Sequence, residues 1–109
     1  MQLVFDKTVA EQLSEKYTVV ELETLTVAGV GAVTAWCVLP AEKIFSELDV
    51  LPMNLKTHRD LLDAISSNQS EIALELCASL TGKFGGELDT FYEELTKRIQ
   101  ETGSCQYTQ

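Results

Sequence analysis

The chain has 109 residues, 45% apolar and 23% charged, enough for a single soluble domain with its own core. Its 8 basic and 17 acidic residues leave a net charge of −9, a field that repels phosphates and anionic membranes. Direct nucleic-acid and membrane binding are therefore not expected, and the charge serves either solubility alone or attraction of a basic partner.

The start, Met-Gln-Leu-Val-Phe-Asp, has no basic region, long apolar stretch or small-residue cleavage site, so it does not read as a signal peptide. The longest weakly polar stretch, residues 27–41, is shorter than the ~20 residues of a membrane span. The three cysteines, Cys37, Cys77 and Cys105, show no C-x-x-C spacing, which argues against both a disulfide framework and a zinc site. A reducing, cytoplasmic location is the expectation, with Cys37 and Cys77 as core residues and Cys105 exposed in a polar tail.

In chain order, Gln2 to Phe5 reads as a short optional strand. Thr8 and Glu11 read as a capping box, opening a helix with Val9, Leu13 and Tyr17 on one face and an end near Lys16. Residues 18–27 and 32–39 are rich in β-branched residues and alternate, predicting two strands. Between them lies Ala28-Gly29-Val30-Gly31. A dinucleotide loop needs a third glycine, where Thr34 stands, and a helix afterwards, where a strand pattern follows; the glycines therefore mark a hairpin bend.

Four helices complete the pattern. Ala41 to Leu51 carries Ile44, Phe45, Leu48 and Leu51 and stops at Pro52; Thr57 and Asp60 open a second helix with Leu61, Leu62 and Ile65. Asn68 and Glu71 open a third, the most apolar, which ends at Gly82. Leu88, Phe91, Tyr92, Leu95 and Ile99 define the fourth, closed by Gly103. The predicted fold class is α+β: an N-terminal helix, an antiparallel β-hairpin with a possible third strand, then three to four helices packed on one sheet face. Residues 1–103 make one domain and residues 104–109 a polar tail.

A hairpin loop of even length sets Val20 and Leu22 on the same side as Cys37 and Leu39, whereas a three-residue loop sets Glu21 and Glu23 there and buries charge. The even loop is thus predicted. It leaves Leu25, Val27, Trp36 and Val38 on the opposite face, with Glu21 and Glu23 around them. Either an intramolecular element (Gln2 to Phe5, the first helix or the last) covers this patch, or it is an interface.

No metal-ligand set or nucleophile motif is visible, and the lone histidine, His58, reads as an exposed residue of a first helical turn. No cofactor is expected, and no motif is specific enough to carry a family resemblance. The pattern therefore predicts a small acidic interaction protein without catalytic activity, of inhibitor, immunity or adaptor type. A homodimer would form through the six residues of the ribbon face or through the ribbon's edge, and a basic protein partner would be drawn to the acidic surface. The alternative is a domain that binds a small cationic ligand, with Glu21, Glu23 and Trp36 lining a pocket at the sheet–helix or subunit interface.

Overall fold

A computed structural model describes residues 2–105, apart from the side chains of residues 25–27. It places β1 (Gln2–Val4), α1 (Lys7–Leu13), β2 (Thr18–Val27), β3 (Gly31–Leu39), α2 (Ala41–Ile44), α3 (Leu51–Ser66), α4 (Ser70–Leu80) and α5 (Asp89–Thr102), with 3-10 turns at Phe45–Glu47 and Phe84–Gly86. The fold is α+β, with an antiparallel sheet in the order β1-β3-β2. The optional third strand is present and comes first, ahead of the helix that the sequence pattern predicts as the opening element. Two compact units divide the chain, Met1–Ser46 and Glu47–Gln109. No described helix is long and apolar enough to cross a membrane.

In the first unit, α1 starts earlier than its pattern suggests. The Asp6 carboxylate accepts hydrogen bonds from the amides of Thr8 (2.8 Å) and Val9 (3.1 Å), so the cap is Asp6 and Thr8 lies inside the helix. The helix ends at Leu13 instead of Lys16, and its buried residue is Ala10, while Val9 and Tyr17 remain exposed. It packs across all three strands.

The bend between β2 and β3 is as expected: Gly29 (φ 80°) and Gly31 (φ 99°) take left-handed values that a side chain would resist. The register is a correction. Val27 pairs with Gly31, which leaves a three-residue loop, Ala28 to Val30, instead of an even one. Continued without interruption, that pairing would set Glu21 opposite Cys37. A β-bulge prevents it: Leu22 and Glu23 together face Ala35, so Glu21 pairs with Trp36 and Val20 with Cys37. Val20, Leu22, Cys37 and Leu39 are accordingly buried. Above the bulge the phase is reversed, and the Thr24 and Thr34 hydroxyls meet across the strands at 2.7 Å.

In the second unit Pro52 begins a helix instead of ending one. It sits in the first turn of α3, where a missing amide donor is harmless, and α2 closes after Ile44. Of the apolar set predicted for the preceding helix only Ile44 is buried; Phe45 and Leu48 are exposed. The earlier start of α3 places His58 at mid-helix, 3% exposed, correcting its expected surface position. Its Nδ1 lies 2.8 Å from the Tyr92 hydroxyl, and the rings of Phe84, Phe91 and Tyr92 surround it. The α5 face predicted from its apolar spacing is buried at Phe91, Tyr92, Leu95 and Ile99, and Gly103 terminates it with φ 75°. In α4 the burial is narrower than its composition suggests, at Ala73, Cys77 and Leu80, with Ile72 exposed.

Cys105, expected at the surface, is fully buried. The Asn68 side-chain oxygen accepts from its amide at 3.0 Å, Arg98 donates to its carbonyl at 3.2 Å, and its thiol donates to Ser70 Oγ at 3.7 Å. Its polar neighbours in sequence hid a local anchor; residues 106–109 lie outside the described residues. Burial pushes the Cys77 thiol up to about 11, against a hydrogen bond with Thr96 that lowers it and with a further rise from Cys105. The unfolded thiol ionises first, near its ordinary 9.0. The folded state therefore holds its full advantage below that pH and loses about 2–3 kcal/mol as pH rises toward the folded value. Urea midpoints should fall across this alkaline window, and the fall should be smaller in Cys77→Ala; equal falls in both proteins would overturn this assignment.

Candidate functional site

Register across the three strands builds rows of side chains. Val4, Trp36 and Glu21 form one row, and Gln2, Val38 and Val19 the next, on the same face. Against this face lies α1. Between them is an open cleft of about 280 Å³, lined by Lys7, Ala10 and Glu11 from the helix, Ser14 at its C-cap, Val19 and Glu21 from β2, and Trp36 from β3.

The predicted ribbon residues are divided by this arrangement. Glu21 and Trp36 come together in the cleft, with Trp36 half-buried. Val38 is only 3% exposed, so it belongs to the packing of the unit and offers no open surface. Glu23 sits in the bulge, half-buried. Leu25 pairs with Val33 and Val27 with Gly31, positions out of phase with Trp36; the side chains of Leu25 and Val27 lie outside the described residues. The bulge is the physical reason: one extra residue on β2 exchanges its two faces.

The helix side of the cleft is built from residues that the sequence did not mark as a site, Glu11 having been read only as part of a helix cap. Lys7, Ala10, Glu11 and Ser14 are spaced i, i+3, i+4 and i+7 and so share one face. Because that face mixes charged, small and hydroxyl side chains, hydrophobic periodicity does not mark it. Ser14 Oγ donates to the Glu11 carbonyl at 2.6 Å, which leaves its oxygen able to accept.

The second unit holds a buried polar group of a different kind. Asn54, four residues before His58 on α3, is 4% exposed, and its side-chain nitrogen has no hydrogen-bond partner among the described residues. His58 itself packs among the rings of Phe84, Phe91 and Tyr92. Among the described residues no cluster of three or more His, Cys, Asp or Glu side chains is placed to hold a metal ion.

Comparison with known proteins yields no match: no protein family, curated protein or solved structure matches this chain.

Proposed function

We propose that this protein is a small acidic cytoplasmic interaction module, homodimeric and without catalytic activity, whose field attracts a basic protein partner as an inhibitor, immunity protein or adaptor requires. The observation that carries this reading is the surface of the sheet unit. β1 has β3 as its strand neighbour on one side and none on the other among the described residues, and Phe5 and Val9, which follow it in the chain, stand exposed at 58% and 42%. An edge strand beside exposed aromatic and aliphatic side chains is the arrangement that strand addition from a second chain uses. The net charge of −9 adds long-range attraction for a basic surface.

Light scattering tests the dimer. The wild type is expected at twice the 12.1 kDa chain mass. Phe5→Glu places a charge at an exposed position and should return the protein to the chain mass, with its circular dichroism unchanged. A wild type at the chain mass across the whole concentration range would end the homodimer reading, and a Phe5→Glu dimer would exclude the β1–α1 junction from the interface.

A further inference from the structure

We infer that the cleft between α1 and the sheet seats a single arginine or lysine side chain of a basic partner protein. This deepens the proposed function and rests on it. Three elements converge there: Glu11 from α1, Glu21 from β2 and the indole of Trp36 from β3. The two carboxylates receive a guanidinium or ammonium group through charge-assisted hydrogen bonds. The indole face attracts the same cation, more strongly where water is partly excluded, and Trp36 is half-buried. Ala10 and Val19 supply apolar wall for the methylene stem of such a side chain. Lys7, also in the lining, offsets one carboxylate. The formal charges of Lys7, Glu11 and Glu21 sum to −1, the sign that attracts a cation.

Size and openness together suit an occupant held by an attached chain. At about 280 Å³ the cleft falls at or below the lower end of pockets that enclose a drug-sized ligand, about 300 Å³, and suits one long side chain entering from an attached chain. Its openness to solvent allows the rest of the partner to remain outside.

Trp36 is the chain's only tryptophan, so its emission reports on the cleft directly. The probe is a short capped oligo-arginine peptide, with the citrulline peptide of equal length as its uncharged counterpart. A saturable emission change with arginine and none with citrulline is expected. Glu11→Gln/Glu21→Gln should weaken binding at least about tenfold, and Lys7→Gln should tighten it. Circular dichroism checks that both variants fold, and Lys7→Gln keeps the test decisive if the double variant does not. Unchanged affinity in the double variant, or in Lys7→Gln if the double variant does not fold, overturns the assignment, as does an equal response to citrulline. Calorimetric binding without any Trp36 response places the peptide elsewhere on the acidic surface: the cleft assignment fails and the basic-partner reading stands. Absence of both heat and emission change removes both.

Discussion

Deleting Glu23 should leave the protein folded, whereas deleting Leu22, one residue earlier, should unfold it. Both deletions remove the extra residue of the bulge and leave one residue opposite Ala35. Without Glu23 that residue is Leu22, 4% exposed in the wild type, and the pairs Glu21–Trp36 and Thr24–Thr34 persist around a regular ladder. Without Leu22 the residue is Glu23, which must then enter the buried side beside Val20 and Cys37.

The costs differ in kind. Losing a buried leucine removes ~2–5 kcal/mol. Burying a carboxylate in its place adds several kcal/mol more, about the whole stability of an ordinary domain at ~5–15 kcal/mol. Circular dichroism and urea melts on the two variants measure the contrast. Equal stabilities would mean that the bulge does not set the phase of β2.

Phe84→Ala should cost ~3–5 kcal/mol, the range for removing a fully buried aromatic ring. Phe84 is 0% exposed and meets His58 edge to face, with ring centres 6.0 Å apart. Its backbone is left-handed at φ 55°, a conformation that bulky residues avoid, and Gly85 and Gly86 follow at 65° and 78°. Two successive amides in this turn converge on one carboxylate: Glu47 accepts from Phe84 N at 3.0 Å and from Gly85 N at 2.6 Å.

Buried ring and paired amides together offset the backbone strain, of order 1–3 kcal/mol. Alanine keeps the left-handed backbone and removes the packing that holds it. A urea-derived loss below ~1 kcal/mol would show that the Glu47 carboxylate holds the turn without the ring, against the packing term expected here.

Local features were legible in the residues. The G-V-G bend, the strands either side of it, the apolar stripe of α5 and its Gly103 stop all follow from turn chemistry and periodicity within short windows. Capping and proline were ambiguous at the same range. Asp6 and Thr8 are both competent caps, and Pro52 reads equally as a stop or as a first-turn residue; each choice moved a helix boundary. The boundary at Pro52 in turn moved His58 from a surface turn into an aromatic cluster.

The sequence alone determined the α+β class, the acidic field and the requirement that Glu21 stay away from Cys37. The requirement was correct, but the device that meets it was not visible. An odd loop with a compensating bulge satisfies the same parity as an even loop without one, and only the pairing of residues far apart in the chain distinguishes them. Tertiary structure likewise decided that Ala10, and not Val9, faces the strands, which brings Glu11 to the same cleft as Glu21 and Trp36. It also decided that Cys105 is anchored against Asn68, Ser70 and Arg98. Periodicity marks an apolar stripe within one element, whereas burial is a relation between elements, so a mixed helix face and a polar-flanked cysteine acquire their roles only when the chain closes on them.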